Sequence, residues 1–142
     1  DNNYTGAVFV MGRSLGSACA LELASSRGER VEGLIVESGF AYTGPLLSML
    51  GVKLESLSFD ENDGFGNLDK IKQYTGPTLV IHAERDHIIP FSDGRTLFDA
   101  SPSKNKTLLK IPGANHNDIF LRGFNEYMNG VKNLIFEKVR GA

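Results

Sequence analysis

Residues 12–16, Gly-Arg-Ser-Leu-Gly, constrain the fold of this chain most strongly, because a strand-like segment precedes them and a helix-like segment follows. The apolar run at residues 8–11 is typical of a strand buried on both faces of a parallel sheet. Residues 17–26 are rich in Ala and Leu and predict a helix. A strand that turns this sharply into a helix crowds the turn, and glycines on either side of the serine remove clashing side chains. We therefore predict a strained turn that lifts the Ser14 hydroxyl clear of the sheet.

Strand-like and helix-like stretches alternate along the rest of the chain. Further strands are predicted at residues 31–36, 78–82 and 107–111, and helices at residues 92–100 and 118–139. The last helix is predicted as one long helix, or as two that break at Gly123. This order predicts an α/β fold, with a parallel sheet of about four strands and flanking helices. Residues 39–76 have only two weak helical stretches, at 45–50 and 68–73, and we expect a lid-like insertion there because connections this long are usually functional.

Composition excludes several classes of protein. The 142 residues suit one domain, and 41% hydrophobic with 23% charged residues is ordinary for a globular protein. A net charge of −2 gives no basic surface for nucleic acid or anionic lipid. The sequence has no apolar run long enough for a membrane span and opens with no signal peptide, so we expect a cytoplasmic location. Cys19 has no partner for an internal disulfide and is predicted to be a small core residue.

A serine becomes a nucleophile only when a base accepts its proton, and the chain offers three histidines for that role. His82 ends an apolar strand and is predicted to be a packed structural residue. His87 directly follows Asp86, and adjacent side chains rarely orient each other. His116 lies in the loop after the last predicted strand. It is therefore the candidate base, with a solvated loop histidine as the alternative.

The base needs an acid that holds its tautomer, and two carboxylates follow the strand at residues 78–82. Asp86 and Glu84 both lie just past that strand. Asp93 and Asp118 compete, but each begins a predicted helix, where carboxylates are favoured as caps. The residues alone leave Asp86 and Glu84 open, and a turn aspartate or a surface ion pair is the alternative for Asp86.

The candidate serine, acid and histidine share one location in the predicted sheet. Each lies in the loop that follows the carboxyl end of a parallel strand. Loops at that edge converge, and ligands of open α/β sheets bind there. The sequence therefore predicts one site that is built from three separate loops.

Four segments of the chain show a family resemblance. They are GRSLGS at residues 12–17, GLIVESGF at 33–40, IHAERDHIIP at 81–90 and IPGANHND at 111–118. With these segments the chain resembles the C-terminal portion of α/β-hydrolases of the Bem46-like or serine-aminopeptidase-like type, from residue 8 to the last helix. The resemblance implies Ser14 as nucleophile, Asp86 as acid and His116 as base. Relatives often have glycine at Ala83 and Ala114, and we expect little effect from a change between small residues.

The resemblance also implies elements that these residues do not contain. Members of the fold normally have four more strands before the serine strand, and their oxyanion hole uses two N–H groups. The first is the N–H of Leu15, and the second lies in a loop after an earlier strand. The chain begins with Asp1 rather than Met, and we expect residues 1–142 to be a single, partial domain of a longer protein. We expect the missing N-terminal half or a second chain to cover the edge of the serine strand, since a bare edge invites aggregation.

These observations predict a serine hydrolase that cleaves an ester, thioester or amide through an acyl-enzyme, with carboxylic esters as the first expectation. Acyl transfer of this kind needs no metal or organic cofactor. A metal site at Asp86, His82 and His87 is not expected, since their spacing fits no ligand pattern. A non-catalytic binding or scaffold domain with the same fold is the alternative.

Three residues after the strand at residues 31–36 are the candidate substrate contacts. Glu37, Ser38 and Phe40 lie at the edge where the active site is expected. The alternatives are that Glu37 pairs with Arg13 and that Phe40 packs the insertion onto the core.

Overall fold

A computed structural model describes residues 4–140, with side chains described through residue 136. Its sheet has four parallel strands in the order β1-β2-β3-β4. The strands are β1 (Phe9–Arg13), β2 (Gly33–Glu37), β3 (Thr78–Ala83) and β4 (Lys106–Ile111). The predicted α/β class and the parallel sheet are confirmed.

Seven α-helices connect or follow these strands in the described part of the chain, together with short 3₁₀ helices at Gly28–Arg30 and Glu61–Asp63. The α-helices are α1 (Gly16–Ser26), α2 (Thr43–Met49), α3 (Leu54–Leu57), α4 (Asn67–Ile71), α5 (Phe91–Ala100), α6 (Ile119–Arg122) and α7 (Phe124–Arg140). Gly123 separates α6 from α7, so the alternative with two C-terminal helices is confirmed. None of the helices within residues 4–140 has both the length and the apolar character needed to cross a membrane.

Helices cover both faces of the sheet. Alternate residues of the central strands point to opposite faces and therefore belong to two separate cores. Leu34 and Val36 of β2 belong to a core under α1, α4 and α5, which also contains Leu21, Ile71 and Leu97. Ile35, between them, belongs to a second core together with residues of β3, β4, α6 and α7. Every residue of β2 and β3 is buried, which explains their near-continuous apolar sequences.

The prediction that Cys19 is a small core residue is wrong. Its side chain is exposed rather than part of the core. The buried face of α1 is formed by Ser17, Ala18, Ala20, Leu21 and Ala24. Because α1 is rich in alanine, its sequence does not show which face of the helix is buried. Cys19 lies outside the buried face.

The insertion at residues 39–76 contains α2, α3 and α4 and is fixed to the core at several points. Glu61 accepts hydrogen bonds from the backbone N–H groups of Thr43 and Gly44 at the start of α2. The side chain of Asn67 donates to the carbonyl oxygen of Phe40 at 2.8 Å. Asp93 of α5 accepts from the N–H of Ala41 at 2.8 Å. These bonds hold the beginning of the insertion against α5 and close to the carboxyl edge of the sheet.

Candidate active site

Ser14 lies in the turn between β1 and α1, with a φ of 52°. This value is in the left-handed region, which costs a non-glycine residue free energy, so the strain expected for the turn is present. The N–H of Ser14 donates to the carbonyl oxygen of Glu37 at 2.9 Å, and its own carbonyl accepts from Ser17 at 3.0 Å. The turn is therefore fixed between β2 and the first turn of α1.

The two glycines that flank Ser14 do not have equal roles. A Cβ atom on Gly12 would lie 2.3 Å from the carbonyl oxygen of Gly16 and 2.7 Å from the Cα of Ser17. A Cβ atom on Gly16 would meet no atom of the described residues within 4 Å apart from its chain neighbours and the nearby backbone of α1. The expectation that glycine relieves crowding holds at Gly12 and is wrong at Gly16 in this structure.

We expect Gly12→Ala to lower the free energy of unfolding by about 1–3 kcal/mol, because the atoms it would displace belong to the backbone. Gly16→Ala is the matched control and should cost nothing or stabilise by up to about 1 kcal/mol, since alanine favours the helix. Urea unfolding measures both changes. Equal destabilisation by the two substitutions would contradict this packing of the turn.

The His116 side chain lies between those of Ser14 and Asp86. Its Nε2 is 3.0 Å from the Oγ of Ser14, and its Nδ1 is 2.8 Å from the Oδ2 of Asp86. Asp86 follows β3 and His116 follows β4, so all three groups meet at the carboxyl edge of the sheet. Both the Asp86 carboxylate and the His116 ring are buried. A neutral His116 that donates from Nδ1 to Asp86 would accept the Ser14 hydroxyl proton at Nε2.

The environment of Asp86 favours its charged form. Burial would raise the pKa of this carboxyl, but the N–H of Ile89, the His116 ring and the N–H of Ile88 outweigh burial and lower the pKa below its usual range. The N–H groups of Ile88 and Ile89 donate to Oδ1 at 3.0 and 2.9 Å. Asp86 is therefore held as a carboxylate whose Oδ2 accepts from the His116 ring.

Glu84, the other candidate acid, points elsewhere. Its two carboxylate oxygens accept from the Nζ of Lys110 at 3.0 Å and from the N–H of Gly113 at 2.8 Å. Its side chain is 37% exposed. The structure therefore brings Asp86 rather than Glu84 to His116.

The other two histidines lie outside the row of Ser14, His116 and Asp86. The ring of His82 is fully buried, with Nε2 2.9 Å from the carbonyl oxygen of Ile89 and 3.6 Å from Asp86. Burial lowers the pKa of His82 despite the opposing effects of the Ile89 carbonyl and the nearby carboxylates. His87 is exposed. Within residues 4–140, no three His, Cys, Asp or Glu side chains converge as a metal site would require.

Comparisons with known proteins identify the family of this chain. A family model described as serine aminopeptidase, S33, matches residues 67–120, which include Asp86 and His116. The human alpha/beta hydrolase domain-containing protein 17B is 30% identical over 132 residues, or 93% of this chain and 42% of that protein. The Caenorhabditis elegans protein aho-3, also described as alpha/beta hydrolase domain-containing, is 31% identical over 80% of this chain and 32% of its own length. The chain belongs to the α/β-hydrolase superfamily. It spans less than half the length of these curated relatives.

Solved structures agree in fold at lower identity. Est1E from Butyrivibrio proteoclasticus superposes with a TM-score of 0.74 at 20% identity, covering 98% of this chain and 64% of that one. The monoacylglycerol lipase of Paleococcus ferrophilus gives a TM-score of 0.68 at 16% identity and covers 94% of this chain and 68% of its own. The likeness to both concerns the fold.

In this α/β-hydrolase chain, Leu15 is the residue whose N–H was predicted to face an oxyanion. It follows Ser14 and immediately precedes α1, where the backbone N–H groups lack partners from a preceding turn. Its N–H donates to no acceptor within the described residues. The group is therefore available to bind a negatively charged oxygen.

The predicted substrate contacts lie beside the site but are buried. Glu37, Ser38 and Phe40 are 4%, 0% and 1% exposed. Glu37 accepts from Arg13 at 2.9 Å, which was the alternative to substrate contact, and from Tyr127 at 2.6 Å. Phe40 packs edge-on against Phe65 with 5.6 Å between ring centroids. Direct contact of these three residues with a substrate stays a prediction.

Proposed function

We propose that this chain provides the catalytic residues of a serine hydrolase that cleaves carboxylic esters through an acyl-enzyme. One observation supports this most strongly: Ser14, His116 and Asp86 form a continuous row of hydrogen bonds, of 3.0 and 2.8 Å, at a strained turn. Each residue type matches a role that such a reaction requires, namely nucleophile, base and an acid that orients the base.

Acylation begins when Nε2 of His116 takes the proton of the Ser14 hydroxyl while Oγ bonds to the carbonyl carbon of the ester. Asp86 keeps the proton on Nδ1 and stabilises the imidazolium that forms. The N–H of Leu15 donates to the developing oxyanion. His116 then passes its proton to the leaving alkoxide as the bond between carbonyl carbon and alkoxide oxygen breaks.

Deacylation repeats these steps with water as the nucleophile. His116 accepts a proton from water, whose oxygen bonds to the acyl carbon. Return of that proton to Oγ releases the carboxylic acid and restores Ser14. The reaction needs no cofactor in this scheme, because every proton moves through His116.

The preference for esters is drawn from the structural neighbours. They include esterases and a monoacylglycerol lipase, and Est1E has been solved with ferulic acid bound. We propose that the insertion at residues 39–76 selects the acyl group. Its exposed apolar side chains Met49, Leu50 and Phe65 are available for this contact. Amides are the second candidate, because the matching family is described as serine aminopeptidase.

The outer edge of β1 is the proposed place for a further strand. Among the described residues, β1 pairs only with β2, and Met11 on it is 48% exposed. We propose that either an N-terminal half of the fold or a second chain pairs here and supplies the other oxyanion donor. The experiments below therefore use the complete protein.

A fluorophosphonate probe tests the proposal, because it reacts with an activated serine hydroxyl. The wild-type protein should be labelled at Ser14, and Ser14→Ala should abolish labelling. Ser17→Ala is the matched control, since Ser17 is a buried hydroxyl three residues away with no role in the scheme, and it should keep the label. A folded wild-type protein that the probe does not label would favour a non-catalytic binding domain.

A panel of esters, thioesters and amides of increasing acyl length then identifies the substrate class.

A further inference from the structure

Arg13 occupies the position between Gly12 and Ser14 and contacts two other parts of the site. Its Nε donates to Oε1 of Glu37 at 2.9 Å. Its Nη2 donates to the backbone carbonyl oxygen of His116 at 2.5 Å. One guanidinium therefore connects the residue before the proposed nucleophile with the backbone of the proposed base. A planar guanidinium can direct donors to two acceptors at once.

The carboxylate of Glu37 is fixed from two sides. Glu37 ends β2 in register with Arg13 of β1, and its side chain is 5% exposed. Its second oxygen, Oε2, accepts from the hydroxyl of Tyr127 on α7 at 2.6 Å. Burial and the bond to Glu37 raise the pKa of Tyr127, so its hydroxyl keeps the proton that it donates. The Glu37 carboxylate is thus fixed by its place on β2 and by Tyr127 of α7, and it in turn holds the Arg13 guanidinium.

The loop at residues 112–118, called here the His116 loop, carries internal hydrogen bonds from Asn115 to Asp118, and Arg122 of α6 bonds to Asp118. Toward the rest of the site, it is held from the β3 side. The N–H of Arg85 donates to the carbonyl of Ala114 at 2.8 Å, and the N–H of Gly113 donates to Glu84 at 2.8 Å. The Asp86–His116 bond comes from the same side of the site. The β1 side contributes only the hydroxyl of Ser14 and the guanidinium of Arg13, among the described residues.

We propose that Arg13 is a positioning residue that fixes the His116 loop relative to β1 and so sets the distance between His116 Nε2 and Ser14 Oγ. This inference rests on the proposed function for its effect on turnover. Loss of the Arg13 bond leaves the Asp86–His116 contact in place, because that contact is supported from β3. The step that suffers is proton transfer from Ser14, since a displacement of about 1 Å in a reacting group can cost roughly 10²-fold in rate.

The competing explanation is that Arg13 only neutralises the buried charge of Glu37. Arg13→Lys separates the two, because an ammonium keeps the charge but lacks the planar fork that reaches both acceptors. We expect Arg13→Lys to lower kcat roughly 10- to 100-fold with KM changed less than about three-fold. Arg27→Lys is the control, because Arg27 is an exposed arginine at the end of α1, and it should behave as wild type.

A double substitution guards against a folding defect. Arg13→Gln alone leaves the buried Glu37 carboxylate without its cation, whereas Arg13→Gln with Glu37→Gln removes both charges. The double variant should unfold near the wild-type temperature and still show the loss in kcat. If Arg13→Lys or a folded double variant keeps the wild-type kcat, the positioning role is wrong.

Hydrogen exchange tests the inference without any turnover. Amide exchange in the His116 loop should be faster in Arg13→Lys than in Arg27→Lys, while exchange in β3 stays unchanged. Unchanged exchange in the loop would overturn the inference even in an active enzyme. A wild-type protein that hydrolyses no ester and reacts with no fluorophosphonate would instead overturn the proposed function, with the exchange result still deciding whether Arg13 holds the loop.

Discussion

Replacing His116 by alanine should lower kcat for an ester substrate by about 10⁶-fold, the order of loss found when the base of such a site is removed. The reason is the geometry at Ser14. The hydroxyl has one basic partner within reach among the described residues, Nε2 of His116 at 3.0 Å. Without it, the proton of Ser14 can leave only to water, and the hydroxyl is a weak nucleophile. Initial rates with a chromogenic ester measure the loss.

His87→Ala is the matched control for this experiment. His87 is exposed and adjoins Asp86 in sequence, but among the described residues it forms no hydrogen bond with the Ser14–His116 pair. It should keep the wild-type kcat. The thermal unfolding of both variants must be compared, because the His116 ring is buried and its removal leaves space in the site. If a folded His116→Ala protein keeps more than about one percent of wild-type turnover, His116 is not the base.

Much of the fold could be predicted from residue pattern because the central strands are buried on both faces. The apolar runs in β2 and β3 can be recognised as buried strands from their own sequence, without knowing which residues lie beside them. The residue at which β1 ends was harder to predict from sequence. The strand continues through Arg13, because Arg13 pairs in register with Glu37, and that pairing depends on a residue 24 positions away. Hydropathy alone therefore predicts that the strand ends at residue 11, two residues before its observed end at Arg13.

Dependence on contacts between residues distant in sequence also explains which site residues the sequence could not assign. Ser14 and His116 could be singled out by motif and by position after a strand. Glu84 and Asp86 could not be separated by residue type, since both carboxylates follow β3. They differ in their contacts, because Glu84 turns toward Lys110 and Gly113 while Asp86 bonds to His116.

Tyr127 shows what residue pattern misses altogether. Its apolar ring suits the buried face of α7, and nothing in that pattern indicates that its hydroxyl bonds to Glu37. The two residues are 90 positions apart, so only the tertiary fold brings them together. The link from α7 through Glu37 to Arg13 could therefore be found only in three dimensions.

Asp86→Asn should lower kcat by about 10⁴-fold, although it changes the shape of the side chain very little. Asp86 can only accept a hydrogen bond from His116, which keeps the proton on Nδ1 and leaves Nε2 free for the proton of Ser14. An asparagine amide can instead donate to Nδ1, which stabilises the tautomer with its proton on Nε2 and blocks acceptance from Ser14. Asparagine also removes the negative charge that stabilises the imidazolium. Because the pKa of Asp86 is lowered, protonation of this acid does not produce the same loss in the wild type near neutral pH.

Glu84→Gln gives the matched comparison, since it also replaces a carboxylate by an amide two residues away. The Glu84 side chain is 37% exposed and bonds to Lys110, and such exposed pairs contribute little. Its kcat should stay within about three-fold of wild type. The ratio of the two losses, measured on one ester at one pH, identifies the acid. Similar losses from both substitutions would contradict the role of Asp86 as the acid. They would indicate that the fixed position of the His116 loop, which Glu84 contacts through the N–H of Gly113, matters more.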